Sequence, residues 1–359
     1  MCAARSAAEP TSGYSSRAVH CGVLYGEVMT VPQRHPPGVR EVAAAAGVSR
    51  QTVSRVFNNH PSIRPETRAR VVTAMTELNF RPNRAARMLT TARSRTIGVL
   101  TASSSSLFGP VSSIDAVENA ARDVGYFLTI AHAVSPDREG LEAALSSLVA
   151  QAVEGIVVIA PQQRVRNAMA AVSVDVPSVT LHGAADEDGV CVDQLEGARL
   201  ATKHLLSRGH RRIAHVCGPS DWFEARVRRE GFLAETEAMG LRARVSEEGD
   251  WSAASGAAIA AGLLDNRGVT AIFSANDQMA LGVLHVAHEL GLRVPEDLAV
   301  VGFDDIPEAA FFWPPLTTVR QDFAELGQRC IARLVAQIES APLLPRAPVA
   351  PVLVVRASS

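Results

Sequence analysis

The sequence predicts a small all-α helix-turn-helix head followed by a large two-lobed α/β domain with parallel sheets. Three observations carry this. Apolar residues recur at helical spacing around a glycine between Val39 and Val56. From Thr96 onward, short apolar strand-like runs alternate with helical patterns. Those runs are too numerous for one small sheet, and Gly- or Pro-marked breaks near residues 192 and 320 divide them into two lobes. The 359 residues are enough for two or three globular units.

Residues 1–35 mix Ala, Ser, Gly and Pro without periodicity and are expected to form a disordered extension, with Met29 as a second candidate start. The head follows, over 36–81. Val39, Val42, Ala43 and Ala46 share one helical face, Gly47 supplies the positive φ that ends the helix, and Ser49 caps the next one. In that second helix Val53 and Val56 point to the core, which leaves Arg50, Gln51 and Arg55 on the other face, near or following its N-terminus. These side chains suit base edges: an arginine fork matches guanine O6 and N7, a glutamine matches adenine N6 and N7, and each good pair contributes about 1–3 kcal/mol of discrimination. With Asn58 at the end of the run, they are the candidate DNA contacts of the head. A third helix begins at Pro65 and places Val71, Met75 and Leu78 on one face.

The charge is unevenly spread. The chain as a whole carries −2, yet between Pro36 and Arg95 eleven arginines face three glutamates, a balance of +8. Such a segment suits a polyanion whose phosphates it can neutralise; a solvated arginine-rich helix surface would look the same from charge alone. The connector 82–95 contains Pro-Asn-Arg-Ala-Ala-Arg-Met-Leu-Thr, in which Asn83 can cap a short helix that presents Ala85 and Ala86 for close approach of a second copy. So short a helix is marginal alone in water.

In the region 96–359 the buried-strand runs are Thr96 to Thr101, Phe127 to Ala131, Gly155 to Ala160, Ser178 to Leu181, Ile213 to Cys217, Ala271 to Ser274 and Leu298 to Gly302. Helical patterns run from Val111 to Val124, Leu195 to Ser207, Glu224 to Met239, Ser252 to Leu264 and Gln278 to Leu290. A ligand is expected in the cleft between the lobes, at the carboxyl ends of the strands.

Several classes are excluded. No apolar run approaches the ~20 residues of a membrane helix, and the first 30 residues lack a secretory h-region, so a cytoplasmic protein without a membrane partner is expected. Five cysteines without CxxC pairing support neither a disulfide framework nor a zinc ribbon. With no G-x-S-x-G elbow, G-x-G-x-x-G loop, P-loop or His/Cys metal spacing, neither an enzyme nor a cofactor is expected. An exported solute-binding protein would need a signal and would leave the basic head unexplained.

The run V-A-x-x-A-G-V-S-x-x-T-V-S-R-V at Val42 to Val56, continued by T-R-A-R-V-x-x-A-M-x-E-L-N-F-x-P-N-R-A-A-R from Thr67 to Arg87, resembles the headpiece and connector of the lactose-repressor (LacI/GalR) family. The resemblance extends through E-G-D-W-S-A-A-S-G (Glu248 to Gly256), A-N-D-Q-M-A-L-G (Ala275 to Gly282), G-L-R-V-P-E-D-L-A-V-V-G-F-D-D (Gly291 to Asp305) and P-P-L-T-T-V-R-Q-D-F-A-E-L-G (Pro314 to Gly327). It implies a periplasmic-binding-protein-like core over 96–359 that binds ligand and dimerises. It also implies a connector helix that forms when two subunits lie side by side on DNA, with Asn83 and Arg84 among its DNA contacts and Leu89 as the minor-groove wedge.

For the cleft, the resemblance assigns Arg228 to ligand hydroxyls, where charge pattern alone would leave it on the surface. Trp251 can lie against the C–H face of a sugar or fill the core. Asn276 and Asp304 follow strand-like runs, where they can contact ligand, cap a helix or close a turn. Phe323 and Leu326 can wall the ligand or pack the core, Leu107 to Pro110 stand where the family places a loop against the ligand, and Asp193 falls at a lobe crossing. At three pocket positions the chain departs from the family's type member: His182 replaces an aspartate, Val192 an aromatic residue and Glu224 a serine. A buried Glu224 would demand a partner, either His182 or Arg228, or a larger polyhydroxylated ligand. The expected function is a homodimeric repressor of a palindromic DNA operator, released by a small carbohydrate, with a galactoside as one candidate. The alternative is a regulator of the same type responding to a nucleobase or phosphorylated metabolite, including as corepressor. No leucine heptads follow the last strand V-L-V-V-R, so a dimer rather than a tetramer is expected.

Overall fold

The computed structural model of the chain describes residues 37–57, 60–80, 88, 93–102, 107–182, 189–265, 268–343 and 347–359. The chain divides into two compact units between Asn83 and Arg84.

In the first unit, α1 (Val39–Ala46), α2 (Arg50–Phe57) and α3 (Pro65–Glu77) surround a core of Val42, Ala43, Ala46, Val53, Val56, Val71 and Ala74. Gly47 has φ +62°, which lets α1 end within one residue. Ser49 Oγ accepts from the Thr52 N–H at 3.0 Å and so caps α2. Two arginines of the basic run are structural. Arg70 donates to the carbonyls of Ala46 and Gly47, and Arg68 to those of Val56 and His60, which satisfies the ends of α1 and α2.

The second unit opens with β1 (Thr96–Thr101), α4 (Phe108–Asp123), β2 (Phe127–His132), α5 (Arg138–Ala150), β3 (Gly155–Ile159), α6 (Gln163–Met169), β4 (Ser178–Leu181) and β5 (Gly189–Val190). These five strands form a parallel sheet in the order β2-β1-β3-β4-β5. The chain then crosses to a second lobe: α7 (Gln194–Ser207), β6 (Ile213–Cys217), α8 (Phe223–Ala238), β7 (Arg244–Glu248), α9 (Ala253–Leu264), β8 (Ala271–Ser274), α10 (Asp277–Glu289), β9 (Ala299–Asp304) and β10 (Thr317–Arg320). It returns for α11 (Phe323–Ile338), whose Leu326, Cys330, Ile331 and Leu334 pack with Val117 of α4 in the amino lobe. A last crossing, where Val192 and Val349 bridge, leads to β11 (Val352–Val354). The second sheet runs β11-β10-β9-β8-β6-β7, parallel except for the antiparallel pair of β10 and β11.

β1, β3, β6, β8 and β9 are buried along their whole length, as expected of strands covered by helices on both faces. Crossovers between parallel strands direct the strand ends of both lobes toward a shared cleft, and the functional side chains follow those ends.

Candidate functional site

On the head, Arg50, Gln51 and Arg55 are exposed on α2, opposite its buried Val53 and Val56. Ser54 lies exposed beside them. The face therefore presents two forks and an amide, the groups that read base edges. Asn58, Asn83, Arg84 and Leu89 lie outside the described residues.

In the larger unit, a cleft of about 460 Å³, counting the space open to solvent, lies between the lobes. Arg228, on α8, is buried at its base. Its Nε donates to Gln194 Oε1 at 2.9 Å and its Nη1 to the Ala275 carbonyl at 2.5 Å, while Nη2 lies 3.4 Å from Asp304 Oδ1. The guanidinium also stacks 3.7 Å from the centroid of Phe303. Burial lowers its pKa, opposed chiefly by Asp304 and Glu224. Asp304 ends β9. Burial pushes its carboxyl up to about 6, against the pull of Arg228 and the bond from Gln321. Gln321 Nε2 donates to Asp304 Oδ1 at 2.7 Å, and Gln194 Nε2 donates to Gln321 Oε1 at 2.8 Å, so side chains from α7, α8, β9 and the crossing after β10 lock together. None of the hydrogen bonds among the described residues uses Asp304 Oδ2, which leaves an acceptor for a ligand.

Asn276 caps a helix, one of the roles weighed for it, and lines the cleft. Its Oδ1 accepts from the Met279 N–H at 2.9 Å, capping α10, while its Nδ2 donates to the Trp251 carbonyl at 3.0 Å and holds that residue at the cleft. Trp251 packs edge-on against Trp222, with centroids 5.5 Å apart. A Cβ on Gly218 would come within 2.4 Å of the Trp251 ring, so this glycine is what admits the indole. Trp251 Nε1 is buried without a hydrogen-bond partner.

Glu224 finds the partner its burial demanded. Its Oε1 lies 2.9 Å from His182 Nδ1, and His182 Nε2 lies 2.9 Å from Ser113 Oγ. Glu224 Oε2 remains buried and unpartnered. Of the eight non-glycine residues with positive φ among those described, His182, Trp251 and Asp304 line this cleft. Strained backbone concentrates where side chains must be aimed at a ligand.

Two expected pocket positions, Phe323 and Val192, are placed elsewhere. Phe323 does not line the cleft; it packs edge-on against Phe108, 5.8 Å between centroids, and Phe108 is the lining residue. Val192 belongs to the amino-lobe core, and of the two roles weighed for Leu326 it takes the core one. Asp193 stands at a lobe crossing, as expected, and caps α7 by accepting from the Glu196 N–H. Conversely, sequence reasoning passed over Gln194, Gln321, Trp222 and Ser113. Leu107 to Pro110 do line the cleft, as the N-cap and first turn of α4 rather than as a loop.

A helical base-reading head joined to a two-lobed ligand cleft defines a DNA-binding regulator with a ligand-binding domain. Comparison with known proteins agrees. The model of bacterial regulatory proteins of the lacI family matches residues 39–83, and that of the periplasmic binding protein-like domain matches 202–359. The lactose operon repressor of Escherichia coli (strain K12) is 37% identical over 305 residues, which cover 83% of this chain and 84% of the relative. The HTH-type transcriptional repressor PurR of Haemophilus influenzae (strain ATCC 51907 / DSM 11121 / KW20 / Rd) is 32% identical over 333 residues, 89% of this chain and 98% of that one. The crystal structure of the lac repressor dimer bound to operator and the anti-inducer ONPF superposes with a TM-score of 0.76 at 34% identity, covering 90% of this chain and 99% of that one. The chain belongs to the LacI family of DNA-binding transcriptional repressors, proteins that act by binding rather than by catalysis.

Proposed function

We propose that this chain is a cytoplasmic homodimeric repressor whose paired heads read a palindromic operator and whose grip is released by a small carbohydrate. Arg50, Gln51 and Arg55 contact base edges in the major groove, Asn58 and the connector residues Asn83 and Arg84 contact the DNA beside them, and Leu89 wedges into the minor groove at the dyad. One head offers few base contacts; a closed twofold pair doubles them and calls for a palindrome. The second copy also accounts for Phe311 and Trp313, aromatic side chains 87% and 91% exposed on the carboxy lobe, which a single chain leaves to water. The similar lac repressor is a dimer on its operator.

One observation supports the carbohydrate most strongly: the cleft pairs an aromatic wall with buried polar atoms that lack partners, a donor on Trp251 and an acceptor on Glu224. Polyhydroxylated rings supply both donors and acceptors beside an apolar C–H face. Arg228, Asp304, Asn276 and Trp251 then orient the ring, and Phe323 backs Phe108. The competing ligand is a nucleobase, favoured by the similarity to PurR. Fluorescence anisotropy of an operator duplex, with and without a panel of mono- and disaccharides and purines, tests the proposal. Release by a sugar supports it; release or tightening by a purine alone replaces it.

A further inference from the structure

We infer that the effector is uncharged and donates a hydrogen bond to Glu224 Oε2, and that the His182–Glu224 pair turns phosphorylated and acidic molecules away. On the carbohydrate reading, on which the ligand class rests, the donor is a sugar hydroxyl.

The argument is a proton count. The Ser113 hydroxyl donates its single hydrogen to the Gly109 carbonyl at 2.9 Å, so its 2.9 Å contact with His182 Nε2 requires the hydrogen to be on the ring nitrogen. A second hydrogen must lie between His182 Nδ1 and Glu224 Oε1, because a bare ring nitrogen and a carboxylate oxygen 2.9 Å apart would repel. Whichever of these two atoms holds that hydrogen, the pair carries no net charge and Glu224 Oε2 remains an acceptor. Arg228 and Asp304, the other charged side chains lining the cleft, cancel in the same way.

An anion entering this cleft meets the open oxygens of Glu224 and Asp304. The guanidinium it would seek already serves Gln194, Ala275 and Asp304. Glu224 Oε2, buried and unpartnered, asks instead for a donor. The pair also joins the two lobes: His182 follows β4 of the amino lobe and Ser113 belongs to α4, whereas Glu224 stands in the first turn of α8. Its geometry is thus set by how the lobes close.

Calorimetry on the full-length protein with D-galactose, lactose, cellobiose, D-ribose, D-ribose 5-phosphate and hypoxanthine, as wild type and Glu224→Gln, tests this. The glutamine keeps the shape and an acceptor toward His182, but replaces the outer acceptor by a donor. A neutral sugar that binds should weaken by about 10- to 150-fold in Glu224→Gln, the range for one hydrogen bond to a charged group. Tighter binding of ribose 5-phosphate than of every neutral sugar overturns the inference and leaves the carbohydrate reading intact. Binding of hypoxanthine alone, sensitive to Glu224→Gln, removes the carbohydrate and keeps the acceptor; insensitivity to Glu224→Gln of whatever binds overturns the inference. A second arm needs no ligand. Nitrogen NMR of the labelled wild type, with His182→Asn for assignment, should show a hydrogen on His182 Nε2 and Nδ1 sharing another with Glu224. A proton-free His182 Nε2 in the wild type overturns the inference even if no compound in the panel binds.

Discussion

Replacing Arg228 with methionine separates two costs that a buried ion pair normally conceals. The methionine fills the aliphatic stem's place but removes the bonds to Gln194 and the Ala275 carbonyl, a loss of about 2 kcal/mol for two hydrogen bonds. It also leaves Asp304 without its cation. That carboxyl already titrates at about 6, against 3.8 for its ordinary value, because burial outweighs Arg228. A group with a raised folded pKa contributes stability that is present at low pH and lost as pH rises through the folded value. In the wild type this loss ends near pH 6. In Arg228→Met, Asp304 stays protonated to higher pH, so the loss continues at up to about 1.4 kcal/mol per pH unit. The destabilisation should therefore grow from about 2 kcal/mol near pH 6 to about 5 near pH 8, the size expected for a broken buried pair. Urea unfolding at fixed protein concentration across that range measures it, with Arg228→Met/Asp304→Asn as the control that abolishes the slope. A pH-independent difference, or the same slope in the double variant, would refute the reasoning.

Four further outcomes are expected. Gln51→Ala should cost about 1–3 kcal/mol on the preferred operator and relax selectivity at one base pair, with random duplex unaffected, as read by competition anisotropy. Leu89→Ala should weaken operator binding while the head melts at its usual temperature by circular dichroism. Trp313→Asp should convert dimer to monomer in sedimentation and lower operator affinity with it. His215, stacked between Phe232 and Phe273, is held by burial at about 4 against an ordinary 6.5. The unfolded chain therefore takes up its proton first as pH falls, and about 3 kcal/mol of stability should be lost between roughly pH 6.5 and 4. His215→Phe should flatten that part of the profile in thermal melts, and an unchanged profile would exclude the assignment.

The sequence showed the inner strands because burial on both faces writes them as continuous apolar runs, as in Thr96 to Thr101 and Ala271 to Ser274. β7, Arg-Val-Ser-Glu-Glu, was less distinct: it is an outer strand, largely exposed, and carries no such run. The helix Arg138–Ala150 escaped notice because its amino end, beginning at Ser135, reads as a loop, although Asp137 caps it by accepting from the Gly140 N–H. Charge counting treated all eleven basic-segment arginines alike, while Arg68 and Arg70 hold helix carbonyls. In the cleft, Arg228, Trp251, Asn276 and Asp304 were legible from motif and strand ends. Gln194 and Gln321 were not, since their bond joins residues 127 positions apart and leaves no local pattern. Phe323 shows the converse: a helical spacing of three tells which face a residue occupies, not whether another ring stands in front of it.

The same cleft explains why a small molecule suffices to move the lobes. Besides the three crossings and the His182–Glu224 pair, the lobes are joined along one rim, where the Gln163 N–H donates to the Asp221 carbonyl at 2.7 Å and the Phe223 N–H to the Pro161 carbonyl at 3.0 Å. The exposed Arg164–Asp221 ion pair adds little there. Each rim hydrogen bond is worth about 0.5–1.5 kcal/mol net, so the rim adds only a few kcal/mol to closure. An allosteric coupling of about 1–3 kcal/mol between effector and operator lies in that same range. A ligand that bonds Glu224 and Asp304 better in one lobe arrangement than in the other therefore has enough differential affinity to change which arrangement prevails, whereas one that binds both arrangements equally well would fill the cleft and leave the operator occupied.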